Sequence, residues 1–160
     1  MKLSFDINRQ DYADFNKFHF IKTQLKRRIF FGVLTIVALQ FFLNKERFDL
    51  TATIISSLVC AVVYCFLIYR SLSSTKNIPQ DNGTVLGHRD MEFSDINITC
   101  KAEKTSTVSD WNAIKKLENG KNYFYLYVDT NMAYIIPKRV FATVNEQDNF
   151  EQFILSKVKR

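Results

Sequence analysis

A chain of 160 residues suffices for one domain, and its 15 Phe and 7 Tyr against only 4 Gly and 2 Pro exclude a disordered composition. Its formal charge of +6 suits an anionic bilayer surface, nucleic acid or an acidic protein. Cys60, Cys65 and Cys100 share no framework or metal-ligand spacing, which excludes a disulfide scaffold and a zinc site and suits a reducing compartment.

The opening MKLSFDINRQDY lacks a basic leader ahead of an apolar core, so no signal peptide is expected. Residues 2–8, KLSFDIN, alternate apolar and polar at Leu3, Phe5 and Ile7, the period of a half-buried strand. The stretch DYADFNKFHFIKTQLKRR (11–28) predicts a helix, with Tyr12, Phe15, Phe18, Ile21 and Leu25 at three- or four-residue steps and Asn8 or Asp11 as its cap. Its other side carries Lys17, Lys22 and Lys26. An aromatic stripe with basic flanks fits a helix lying on an anionic leaflet, and equally one packed on the following domain.

Two apolar runs come next. Residues 50–69, LTATIISSLVCAVVYCFLIY, are twenty without a charge, the length that crosses a bilayer core of about 30 Å. Residues 29–43 hold fifteen more, about 22 Å as a helix, with Lys26, Arg27 and Arg28 at one end and Lys45 and Arg47 at the other to reach the interface. The expectation is a transmembrane helical hairpin over 29–70; a re-entrant pair dipping into one leaflet is the alternative. Gln40 needs a partner on the second leg, where Ser56 and Ser57 allow close packing. The same small residues leave association with a second copy open. Cations cluster before the first leg and after the second, at Arg70 and Lys76, while the connecting loop offsets its two with Glu46 and Asp49. That asymmetry puts both termini in the cytoplasm.

Behind the anchor, 71–83 is a polar linker. The remaining 84–160 are expected to form an α+β domain of antiparallel strands, completed by the strand at 2–8 so that the hairpin is inserted into it. Strands are expected at 84–93, broken near Gly87, at 95–103 with Ile96, Ile98 and Cys100 inward, at 105–110, at 122–129 and at 133–137. Asn119-Gly120 signals a hairpin, Trp111 and Phe141 are core candidates, and a final helix from about Glu146, capped by Asn145, turns Phe150, Phe153, Ile154 and Val158 inward, with Lys157, Lys159 and Arg160 near its end.

Trp111-x-x-Ile114, Tyr123-Phe124-Tyr125-Leu126 and Ile135-Ile136-Pro137-Lys138-Arg139-Val140-Phe141, followed by the closing helix, resemble the YcxB-like family of bacterial membrane proteins. The leading strand, the aromatic helix and the two apolar legs look similar as well. The resemblance implies a bacterial cytoplasmic-membrane protein whose aqueous part is a pleckstrin-homology-like sheet capped by a C-terminal helix; it implies no activity.

Catalytic and cofactor chemistry is not expected. His19 and His88 have no ligand-spaced companion, the glycines form no phosphate loop, and no nucleophile motif accompanies a histidine. Nucleic acid is a poor partner, because the cations lie beside the apolar runs and no base-stacking motif appears. The candidate contact is Lys138-Arg139, presented after strand-ending Pro137, together with Lys22, Lys26, Arg27 and Arg28. The expected role is a non-enzymatic membrane-anchored protein that binds a protein partner. The alternatives are an anionic-lipid sensor and an immunity protein against a membrane-acting toxin.

Overall fold

The computed structural model describes residues 1–43, 49–80 and 83–158. In chain order its elements are β1 (Lys2–Ile7), α1 (Arg9–His19), α2 (Leu25–Leu43), α3 (Leu50–Ser74), β2 (Gly87–Phe93), β3 (Asn97–Ala102), β4 (Ser106–Asp110), β5 (Lys116–Asn119), β6 (Tyr123–Tyr127), β7 (Ala133–Pro137) and α4 (Val144–Lys157). They divide into two compact units, one of Met1–Phe15 with Lys76–Arg160 and one of Asn16–Thr75. The charged loop Lys45–Glu46–Arg47 and the terminal Lys159 and Arg160 lie outside the described residues.

The first unit is α+β. Its strands form two antiparallel sheets, ordered β1-β2-β3-β4 and β5-β6-β7. Leu3 stands opposite Met91 and Phe5 opposite Arg89, so the first strand of the chain pairs with one reached only after both apolar helices. Alternation does its work on β1, where Phe5 and Ile7 are buried. β2 begins at Gly87, whose φ of +101° is a left-handed conformation that a side chain would strain. Ile96, expected inward, is exposed: Ser94 Oγ accepts from the Ile96 and Asn97 N–H groups, forming a turn that holds Ile96 out of the ladder.

β6 is buried along its whole length. Phe124 and Leu126 enter the main core with Phe93, Ile98, Ile136, Phe150 and Ile154. On the other face Phe15, from the first turns of α1, packs on Tyr125 and Tyr127 at centroid distances of 5.5 and 6.0 Å. Large side chains at every position, aromatic at all but Leu126, therefore match a strand covered on both sides. Phe150 sits at the hub, 5.2 Å from Phe93, 5.3 Å from Phe124 and 5.2 Å from Phe141. Trp111 packs edge-on against Phe153 and donates its indole N–H to Ser94 O at 3.0 Å.

α4 starts two residues before the expected Glu146, and its cap is Thr143 rather than Asn145. Thr143 Oγ1 accepts from Glu146 N while Glu146 Oε2 accepts from Ala142 N, so the side chain expected to open the helix instead closes a reciprocal capping motif.

The second unit is helical. The expected helix over 11–28 does not run evenly: a π-turn at Phe20–Gln24 separates α1 from α2. The wider turn changes the phase of the stripe, so Phe20 is buried while Ile21 is half exposed. α3 continues through Ser74, into the stretch expected as linker, and Asp49 caps it by accepting from Thr51 N and Ala52 N. Among the described residues one helix, Leu50–Asn77 including its final tight turn, is long and apolar enough to cross a membrane, with a mean hydropathy of 2.3 over its best window. α2 spends its first turn on Lys26, Arg27 and Arg28, which leaves its uncharged stretch short.

α2 and α3 nevertheless pack together. Gln40 Nε2 donates to Ser56 Oγ at 2.8 Å, and Tyr64 OH donates to Arg28 O at 2.8 Å. A Cβ at Gly32 would lie 2.7 Å from the Tyr64 ring, so the missing side chain is what lets the two helices approach.

Candidate functional site

The residues marked by sequence fall into both units. In the first, Pro137 ends β7, and Lys138–Val140 makes a single tight turn that returns Phe141 to the core. Lys138 lies with its ammonium 4.8 Å over the Phe124 ring. Arg139 points the other way, to Asp11: Nη1 donates to Oδ1 at 2.7 Å and Nη2 to Oδ2 at 2.8 Å, while Nη2 also reaches Asp6 O at 2.9 Å. This is a two-pronged guanidinium–carboxylate pair, stronger and more directional than a single charge contact.

Asp11 is 1% exposed. It accepts from Tyr123 OH at 2.8 Å and from Asn8 N–H at 2.9 Å, while Asn8 Oδ1 accepts from Gln10 and Asp11 N–H. Asn8 and Asp11 thus cap α1 reciprocally, and the capping carboxylate is the anchor for a guanidinium 128 positions away. Burial pushes the Asp11 carboxyl up, but the hydrogen bonds from Arg139, Asn8 and Tyr123, with the Arg139 charge, more than offset it and hold the group below its ordinary value. Burial, and then the hydrogen bond to Asp11, push the Tyr123 phenol well above its ordinary value, so it remains a donor. Arg139 still has half of its side chain in water.

In the second unit Lys22, Lys26, Arg27 and Arg28 are all exposed. Lys22 approaches the Phe18 ring and Arg28 the Phe20 ring, each at 5.7 Å. Gln40 and Ser56 meet across the helix pair, and Ser57 beside them is half-buried.

Sequence reasoning passed over a constellation on the outer face of the first sheet. Ser4 Oγ lies 3.1 Å from His88 Nε2, and His88 Nδ1 lies 3.0 Å from Asp6 Oδ1. The order serine–histidine–carboxylate is that of a hydrolytic triad. Its setting is different, because the group lies flat on a solvated sheet with the imidazole half exposed and Asp6 79% exposed. Asp90 Oδ1 also reaches His88 Nε2 at 3.3 Å. The hydrogen bond that the His88 ring donates to Asp6, followed by the two carboxylate charges, raises the His88 pKa, which favours imidazolium over the neutral base that a serine nucleophile needs. The arrangement is a charge ladder across β1 and β2, continued by Lys2–Glu92 at 3.3 Å.

These features define a class: an α+β domain joined to a helical unit that contains a bilayer-length apolar helix. Residues 93–154, from the end of β2 into α4, match the model of the family described as YcxB-like protein. That stretch contains Trp111, Phe124, Lys138, Arg139 and Phe141 and leaves out β1, α1, α2 and α3. No curated protein and no solved structure matches the chain.

Proposed function

We propose that this is a non-enzymatic interaction protein of a bacterial cytoplasmic membrane. α2 and α3 form its transmembrane hairpin, and the first unit, held on the cytoplasmic side with both termini, is a pleckstrin-homology-like domain that engages a protein partner. The observation that carries this reading is α3, whose Ile54, Leu58, Val62 and Phe66, with Ile55, Val59 and Val63 beside them, form a broad exposed apolar face along the helix, as suits lipid rather than water. The Gln40–Ser56 bond supports the hairpin, since it pairs an amide that would otherwise face hydrocarbon. Sheets of four and three strands closed by a C-terminal helix support the likeness to pleckstrin-homology domains. β4 ends the larger sheet with Ser106, Thr107 and Val108 exposed, an edge to which a partner strand can add.

The exposed cations at 22–28 favour a second reading, in which the chain senses anionic lipid at the membrane surface. A pull-down from native membranes in mild detergent, with Lys138→Glu and Lys22→Glu as variants, separates the two. A near-stoichiometric protein lost on Lys138→Glu supports the partner reading. Retained anionic lipid, lost on Lys22→Glu with no protein bound, supports the sensor. Recovery of the chain from the soluble fraction contradicts both.

A further inference from the structure

Within the helical unit, the π-turn and the last turns of α3 line an open-sided cavity of about 160 Å³. That is roughly ten times the ~10–15 Å³ that one ordered water requires. Phe20, Ile68 and Leu72 form its apolar wall, while Gln24, Arg28 and Ser71 bring donors to it; the Thr75 hydroxyl at its rim donates to Leu72 O, and no carboxylate lines it. The π-turn builds this arrangement. Leu25 N–H donates to Phe20 O in the wide register, and Thr23 Oγ1 donates to His19 O at 2.6 Å. A backbone widened in this way is a recurrent device at binding sites. Here it places Phe20, Gln24 and Arg28, four residues apart, along the side that meets Ile68 and Leu72 of α3 and Thr75 at its C-terminal cap.

The level of the cavity along the hairpin is fixed. Tyr64 OH binds Arg28 O, so the residues of α3 that line the cavity lie one to three turns beyond the uncharged stretch of α2. In a spanning hairpin that is headgroup depth. A guanidinium fork with amide and hydroxyl donors, over an apolar wall and without a competing acid, matches a phosphate ester attached to a hydrocarbon-bearing group.

We propose that this cavity binds the phosphate ester of an anionic lipid headgroup. The proposal rests on reading α3 as a bilayer span, and it assigns lipid recognition to a built pocket in place of diffuse surface charge.

The test uses the full chain purified in mild detergent, delipidated, and offered phosphatidylglycerol or phosphatidylcholine, with retained lipid counted by native mass spectrometry. Wild type is expected to retain phosphatidylglycerol preferentially. Arg28→Gln and the cavity-filling, charge-neutral Ser71→Phe are each expected to cut retention by about tenfold, the scale of a lost charge-assisted hydrogen bond. Arg27→Gln removes a charge outside the cavity wall and is expected to leave most of the retention. Circular dichroism confirms that each variant is folded. Equal loss in Arg27→Gln and Arg28→Gln with none in Ser71→Phe would overturn the pocket in favour of surface charge, as would absence of any preference in wild type. Displacement by millimolar glycerol 3-phosphate would assign the same phosphate site to a soluble ester and overturn the lipid. Carbonate extraction of the chain from membranes, scored separately, tests the span itself.

Discussion

At Asp11 a local and a long-range requirement meet in one carboxylate. It closes the cap of α1 with Asn8 and receives both prongs of Arg139 together with the Tyr123 hydroxyl. Removing the guanidinium leaves a buried carboxylate short of its strongest donors. Arg139→Gln is expected to destabilise the first unit by about 2 kcal/mol, below the ~3–5 kcal/mol of a fully buried broken pair because half of the guanidinium stays in water. Arg139→Lys should recover only part of that, since an ammonium cannot fork; urea denaturation with both variants measures the difference. The sign of the pH effect follows from the lowered Asp11 pKa. The native carboxyl holds fewer protons than the unfolded one, so its stabilisation is complete above the unfolded value of about 3.9 and is lost as pH falls through the folded value. Asp11→Asn should flatten the acid limb of the stability curve between pH 5 and 2, about the span over which such a carboxylate titrates. Ser4, despite its triad-like neighbours, should not react with a fluorophosphonate probe, whereas labelling abolished by His88→Ala would contradict the non-enzymatic reading. At this scale the sequence was partly legible. The Asn8-x-x-Asp11 spacing shows the cap, but nothing local shows that Arg139, offered as a surface cation, would turn to a carboxylate at the other end of the chain.

Elements were legible where one period dominates and less so where two constraints overlap. β1 follows from the alternation of Leu3, Phe5 and Ile7, and β6 from its aromatic-rich run. Ile96 misleads because alternation through 96, 98 and 100 ignores Ser94, whose turn delays the strand from residue 95 to Asn97. The single helix over 11–28 misleads because apolar residues at both 20 and 21 permit two phases, and the π-turn chooses Phe20. Close packing of α2 on α3 depends on one hydrogen side chain. Gly32→Leu should force the Tyr64 ring away and break its bond to Arg28 O. The expected result is a helical unit that gives more extensive trypsin cleavage at Arg28 in detergent, with the stability of the first unit unchanged. In the first unit Phe150→Ala, which empties the hub of the aromatic cluster, is expected to cost about 3–5 kcal/mol and to be visible as a shift in the urea midpoint.

For the whole molecule, composition points to a basic, ordered chain, and the long uncharged run at 50–69 marks the helix that distinguishes it. The pairing of β1 with β2 brings together segments separated by every residue of the apolar helices. That arrangement is hinted at in sequence only by the shortness of a core built from 84–160 alone. With α2 and α3 inserted between two paired strands, the account requires the chain to enter and leave the membrane on the same side. The most direct test is cysteine accessibility in intact cells, in a variant with Cys60, Cys65 and Cys100 replaced by serine and single cysteines returned at Asp49, Ser4 or Glu151. A membrane-impermeant thiol reagent should label Asp49→Cys from outside, and Ser4→Cys and Glu151→Cys only after the cells are opened. Protection of Asp49→Cys until lysis would contradict a spanning hairpin, and labelling of Ser4→Cys and Glu151→Cys from outside would contradict a cytoplasmic first unit.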